Sequence, residues 1–259
     1  MSDWRPLEGR LAGWTCGVGP RLVFVHGFTQ TSDSWKPIAA RFAADGYEAI
    51  VVDAPGHGES ANVRADLRRG ADMLAALCGF GVYVGYSMGG RLCMHAALMY
   101  PHLVRGLAVV GASPGIADES ERADRRAADN QLAEHIVDVG VDAFLDEWLA
   151  QPLFAGLELD DEQRADRLRN TPDGLASSLR HAGAGAQGSL WPRLHEMNMP
   201  VLTIAGELDH KFAAIGRQIA ASVPEGESVE IPGAGHAAHL QDAEAVIDVL
   251  VAWLADLKY

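Results

Sequence analysis

Three residues far apart in the sequence have the types needed for one nucleophilic unit: Ser87, Asp209 and His236. Ser87 is the centre of Gly85-Tyr86-Ser87-Met88-Gly89, a G-x-S-x-G pentapeptide. It follows the apolar run Val82-Tyr83-Val84 and precedes a helical stretch, Arg91 to Tyr100, that stops before Pro101. Between a strand and a helix this pentapeptide forms a tight turn that lifts the serine hydroxyl to the positive end of the helix. A free serine hydroxyl is a poor nucleophile and a poor base. It needs an imidazole to hold its proton and an acid to fix the imidazole tautomer and stabilise the imidazolium. Asp209 ends Gly206-Glu207-Leu208-Asp209, just after the apolar run Val201-Leu202-Thr203-Ile204, and His236 ends Gly233-Ala234-Gly235-His236, after Val229-Glu230-Ile231. Taken singly, either is equally well a loop residue near a helix start; three such sites in order after strand-like runs favour a joint role. Negative charge developing beside Ser87 needs amide donors. The N–H groups of Met88 and of Phe28, in His26-Gly27-Phe28 after the run Leu22-Val23-Phe24-Val25, stand where such an oxyanion hole is built.

These residues need a frame, and the sequence supplies alternating elements. Phe24 to His26, Ala49 to Val52, Val82 to Gly85 and Leu107 to Val110 read as strands; Trp35 to Ala44, Ala65 to Leu77 and Met88 to Tyr100 read as helices. Near-continuous apolar strands suit a parallel sheet covered on both faces. The order Ser87, Asp209, His236 is that of the α/β-hydrolase fold. The expected architecture is therefore a mostly parallel sheet flanked by helices. From Ala117 to about Leu190 the pattern changes to charged helical segments, over Glu119 to Val139, Val141 to Ala150, Asp160 to Arg169 and Leu175 to Ala182, and strand–helix alternation resumes after Trp191-Pro192. Residues 1–111 and 191–259 are expected as the core and 112–190 as an inserted helical cap. Gly183-Ala184-Gly185-Ala186 reads as a flexible joint, His57 as a loop histidine in a glycine-rich turn, and the segment before Leu22 carries no recognisable signal.

Whole-chain properties bound the function. A length of 259 residues with 48% hydrophobic content allows a large single α/β core with an insertion. No uninterrupted apolar stretch is long enough to span a bilayer, and Met1-Ser2-Asp3-Trp4-Arg5-Pro6 lacks the layout of a signal peptide, so a cytoplasmic chain without membrane insertion is expected. Cys16, Cys78 and Cys93 are too scattered for a disulfide framework or a zinc cluster. A formal charge of −14 argues against nucleic acid as a partner. It also repels an anionic substrate, so any such substrate needs local arginines. Of the cap arginines Arg122, Arg125, Arg126, Arg164, Arg167, Arg169 and Arg180, most read as solvated surface. Arg91, four residues after Ser87, lies in the first turn of the elbow helix and is costly there unless it meets an acid or a ligand carboxylate. Trp148 is either the inner face of a cap helix or an aromatic wall of the site.

The sequence resembles the 2-succinyl-6-hydroxy-2,4-cyclohexadiene-1-carboxylate synthases of menaquinone biosynthesis. The resemblance runs from His26-Gly27-Phe28-Thr29 almost to the C-terminus. It is carried by Gly85-Tyr86-Ser87-Met88-Gly89-Gly90-Arg91, Glu121-Arg122-Ala123-Asp124-Arg125, Phe144 through Trp148 to Gln151-Pro152-Leu153-Phe154, Gly206 to Phe212 and Gly235 to Leu240. After His239-Leu240, Gln241-Asp242-Ala243 stands where a Glu-x-Pro-like helix start is expected. The resemblance implies a lyase that removes a proton from a cyclohexene tricarboxylate and expels pyruvate. Ser87 would abstract the proton, activated by His236 and Asp209, with the Phe28 and Met88 amides holding enolate-like charge. Substrate contacts would fall on Tyr86, Arg91, Arg125, Trp148 and Arg169. No metal or organic cofactor is implied, and the partner is a small polycarboxylate; a monomer or small homo-oligomer is expected. Two other readings stay open on the residues alone: a carboxylester or C–C bond hydrolase, which explains the triad but not the arginines, and a ligand sensor on a hydrolase scaffold.

Overall fold

The computed structural model describes residues 3–257. Eight strands form one sheet: β1 (Arg5–Pro6), β2 (Gly13–Cys16), β3 (Arg21–Val25), β4 (Glu48–Val52), β5 (Gly81–Tyr86), β6 (Val104–Val110), β7 (Val201–Gly206) and β8 (Gly226–Ile231). Their spatial order is β1-β2-β4-β3-β5-β6-β7-β8. From β4 to β8 every pairing is parallel; β1 with β2 and β2 with β4 are antiparallel. β1 and β2 lie in the stretch that carried no signal. They are short, and β1 is exposed, so no buried apolar run marks them. β3, β5, β6 and β7 are mostly aliphatic residues, glycine and aromatic residues, as burial on both faces requires.

Helices α1 (Lys36–Ala44), α2 (Leu67–Cys78), α3 (Met88–Met99), α7 (His210–Ser222), α8 (Ala238–Gln241) and α9 (Ala243–Asp256) flank the sheet. One apolar layer joins Leu74 of α2, Leu92 and Cys93 of α3 and Ile219 of α7 to Val23, Tyr83 and Leu107. The other joins Ile38 and Phe42 of α1 and Ile247, Leu250 and Trp253 of α9 to Phe24, Val84 and Ile204. The three cysteines are free and buried. No helix among the described residues is long and apolar enough to cross a membrane.

Between β6 and β7 the chain forms α4 (Glu119–Leu149), α5 (Asp161–Leu168) and α6 (Pro172–Ala182). α4 breaks at Gly140, whose φ of 81° leaves the helical region. Each start is written in the sequence: Asp118 caps α4, Asp160 and Gln163 form a capping box on α5, and Thr171 caps α6 ahead of Pro172. Ala133, Ile136 and Phe144 pack on Leu175, Ala176 and Leu179, and this cluster meets the core through Phe28 and Trp148. Gly183 to Ala186, expected as a flexible joint, is instead a packed turn. The Gly185 amide donates to Asp129 at 3.0 Å, and a Cβ on Gly185 would lie 2.2 Å from the Arg126 nitrogen. Small residues are there because two backbones touch.

Candidate active site

Ser87 joins β5 to α3 with φ 49° and ψ −108°. That region disfavours any residue with a Cβ, so the surroundings must hold it. The Ser87 amide donates to the Val110 carbonyl at 2.8 Å, and the Arg91 amide donates to the Ser87 carbonyl at 3.1 Å. The flanking glycines answer to close approach: a Cβ on Gly85 would lie 2.5 Å from the Gly89 oxygen, and one on Gly89 2.2 Å from the Val25 oxygen.

Three strand ends bring the separated residues together. His236 Nδ1 lies 2.6 Å from Asp209 Oδ2, and His236 Nε2 lies 3.2 Å from Ser87 Oγ. The tautomer that satisfies both contacts donates from Nδ1 to Asp209 and accepts the serine proton at Nε2. Asp209 also caps α7, accepting the Phe212 amide at 3.3 Å, so the helix start fixes the acid. Rings of Phe212, Tyr86 and Phe154 surround His236 at centroid distances of 4.6, 5.4 and 6.0 Å. His236 is 3% exposed. Gly111, at φ 56°, passes so close that a Cβ would stand 3.1 Å from the imidazole; no motif marked it.

Neither the Phe28 nor the Met88 amide has a protein acceptor among the described residues. Met88 begins α3. Phe28 lies on a loop braced from several sides. The Gly27 amide donates to Gln30 Oε1 at 2.9 Å, the Ala54 amide to His26 Nε2 at 3.0 Å, and the Ser32 amide to Asp53 Oδ1 at 2.7 Å. Thr29 has φ 69°, another strained position. It is held from the end of α5, where Arg167 donates to Thr29 Oγ1 at 2.5 Å and Asn170 Nδ2 to the Thr29 carbonyl at 2.7 Å.

A cavity of about 180 Å³ opens over Ser87 and His236. Phe28, Tyr86, Met88, Arg91, Arg125 and Trp148 line it, as do Lys211, Phe154 and Phe212. Trp148 is both inner helix face and wall: it packs on Phe28 at 5.2 Å and Phe144 at 5.8 Å and borders the cavity. Among the described residues no three His, Cys, Asp or Glu side chains group as a metal site.

Comparison with known proteins agrees with this frame. Residues 22–249 match the alpha/beta hydrolase family. The 2-succinyl-6-hydroxy-2,4-cyclohexadiene-1-carboxylate synthase of Salmonella paratyphi C (strain RKS4594) is 34% identical over 241 residues, covering 89% of this chain and 92% of that protein. The chain belongs to this synthase family within the alpha/beta hydrolases. MenH from S. aureus superposes with a TM-score of 0.85 at 30% identity, covering 95% of this chain and 99% of that one. A thermophilic esterase from Thermogutta terrifontis superposes with a TM-score of 0.84 at 24% identity over the whole of both chains, which shows the shared fold alone.

The cationic side chains of this synthase-family cavity differ in their partners. Arg125 is paired: its Nε lies 2.7 Å from Asp129 Oδ1. Arg91 donates to the Ala182 carbonyl at 2.8 Å and to Gln187 Oε1 at 3.2 Å, both neutral, and forms no ion pair among the described residues. Burial first, then Arg125, pull its pKa down to about 10, with Asp129 opposing. Lys211, unmarked in the sequence, adds a third cation at the rim.

Arg169, expected as a substrate contact, does not line this cavity. It pairs outward with Asp33, Asp166 and Glu59. Arg167 is the α5 arginine that turns inward, 3% exposed beside Tyr86, where burial lowers its pKa. Other arginines between β6 and β7 behave as surface: Arg164 bridges Asp142 and Asp146, and Arg122 meets Glu119. His57 is a loop histidine as expected, but a fully buried one, its Nδ1 3.1 Å from the Pro55 carbonyl.

Proposed function

We propose that the chain catalyses the synthase reaction of its family: elimination of pyruvate from 2-succinyl-5-enolpyruvyl-6-hydroxy-3-cyclohexene-1-carboxylate. Ser87 Oγ takes the ring proton while His236 Nε2 takes the serine proton, and Asp209 stabilises the imidazolium. The electron pair left on the ring forms the conjugated diene as the C–O bond to the enolpyruvyl group breaks. The departing enolate is protonated to pyruvate. The Phe28 and Met88 amides stabilise the enolate-like charge, and the α3 N-terminus adds its dipole. Segment 112–190 acts as the cap, and Trp148 and Tyr86 shape the cavity. No metal or organic cofactor has a role. The substrate is a small polycarboxylate met in the cytoplasm, by a monomer or small homo-oligomer.

The observation that carries this reading is Arg91. A partly buried guanidinium without an acid, beside Arg125 and Lys211, is poorly compensated until a carboxylate enters. A cavity for neutral esters gains nothing from it. Intact-protein mass spectrometry during turnover tests lyase against hydrolase. Elimination leaves Ser87 unmodified throughout the steady state. An acyl adduct on Ser87 that forms and decays at the catalytic rate would assign the chain to the hydrolases.

A further inference from the structure

Beyond Arg91 lies a second cavity, of about 270 Å³, which shares no lining residue with the first. Leu67, Leu98, Met99 and Leu190 give it apolar walls. Three buried polar atoms on its lining residues have no hydrogen-bond partner: His95 Nε2, Gln187 Nε2 and Ser189 Oγ. His95 is 8% and Gln187 3% exposed. Buried polar atoms are rarely left unpaired in folded proteins, and three around one cavity ask for a partner from outside the chain. Gln187 Oε1 is taken by Arg91 at 3.2 Å, which leaves its NH₂ as the donor end.

The charge around this cavity is positive although the protein carries −14. Arg68 and Arg193 line it, and Arg91 stands behind Gln187. Arg193 is shared with Glu196 at 2.7 Å, whereas Arg68 forms no ion pair among the described residues. The acid in the lining is Asp66, whose Oδ1 caps α2 at the Arg69 amide, 2.8 Å away. His95 registers the balance: burial, then Arg91, Arg68 and Arg193, lower its pKa to about 4, with Asp66 opposing. It is therefore a neutral imidazole, and its Nε2–H tautomer has an N–H to give. Three neutral donors, flanking cations and apolar walls suit a small organic carboxylate with a short apolar body.

We propose that this cavity is a second ligand site, which binds a small organic carboxylate through His95 Nε2–H, Gln187 Nε2–H and Ser189 Oγ–H, and that Gln187 links its occupancy to Arg91. A carboxylate on Gln187 Nε2 polarises the amide and strengthens the bond that Oε1 accepts from Arg91. Coupling is reciprocal, so a ligand held by Arg91 changes the affinity of the second site by the same factor. The site does not depend on which reaction Ser87 performs.

Benzoate and butyrate are suitable probes, titrated into the full chain while the His95 ring Cε1–H signal is followed by NMR, assigned with His95→Leu. To keep the first cavity out of the measurement, the titration is repeated on enzyme labelled at Ser87 with a fluorophosphonate. The expected result is saturable movement of the His95 signal that survives the label and weakens by about tenfold or more in Arg68→Ala. The Arg91 Nε–H signal moves with it in the wild type, and stands still in Gln187→Leu, where His95 still responds. No His95 movement, movement abolished by the label, or equal affinity in Arg68→Ala would overturn the site. A static Arg91 signal in the wild type would overturn the link through Gln187.

Discussion

Replacing Arg91 by methionine separates binding from folding, because this side chain favours carboxylate binding and is nearly neutral for stability. Its guanidinium has two neutral acceptors and no acid. A charge-assisted hydrogen bond to a carboxylate contributes about 1.5–3 kcal/mol net. The variant should therefore lose about 10- to 150-fold in kcat/KM on the polycarboxylate substrate. Turnover of p-nitrophenyl acetate, which offers no carboxylate, should stay within about threefold of wild type, since uniform binding energy is not at stake. Stability follows a separate balance. Depression of the Arg91 pKa to about 10 reflects a charged form disfavoured by about 3 kcal/mol, less after allowance for partial exposure. Methionine relieves that term and forfeits two hydrogen bonds, at about 1 kcal/mol each. The two nearly cancel, so the melting temperature should move by no more than about 4 °C in either direction. Parallel kinetics on the two substrates and a thermal melt check all three statements. Equal losses on both substrates, or a melting temperature lowered by about 10 °C, would refute the argument.

Other perturbations have equally definite outcomes. Arg167→Met removes the donor that braces strained Thr29 beside the Phe28 amide, so kcat should fall on ester and polycarboxylate alike, whereas Arg169→Ala, which breaks exposed ion pairs, should change either rate by less than about threefold. Gly89→Ala would drive a Cβ to within 2.2 Å of the Val25 oxygen, and soluble yield or thermal stability should collapse rather than kcat alone. Burial lowers the pKa of His57 to about 3, so below its usual value the unfolded state binds a proton that the native state refuses. Native stability thus falls as pH drops from about 6.5 towards 3, by about 1.4 kcal/mol per pH unit for this group. Denaturant titrations should show a shallower acid slope by that amount in His57→Leu.

Legibility in the sequence tracked how far each feature depends on local pattern. Strands β3 to β7 were readable because burial on both faces leaves an unbroken apolar run, and the elbow because its glycines are imposed by backbone approach at Gly85 and Gly89. The starts of α4, α5 and α6 were readable through Asp118, Asp160 and Thr171. The inward turn of Arg167, which reads as solvated surface like its neighbours, was not. Two residues on a helix differ by about 200° in direction, and α5 is so rich in charge that no apolar stripe sets its phase. The partner that decides the matter, Thr29, lies 138 positions away. Gly183 to Ala186 misled for a related reason: small residues permit flexibility and close packing equally, and Asp129 decides between them from another helix. Gly111 reaches the site through the sheet's register, which no short motif encodes.

By the proposed function, the Ser87–His236–Asp209 cavity expels pyruvate from a ring tricarboxylate. Pyruvate release from 2-succinyl-5-enolpyruvyl-6-hydroxy-3-cyclohexene-1-carboxylate, coupled to lactate dehydrogenase, measures it directly. Rapid release by the wild type is expected, with a loss of several orders of magnitude in Ser87→Ala. Background-level release from protein whose Ser87 still reacts with a fluorophosphonate probe would contradict it.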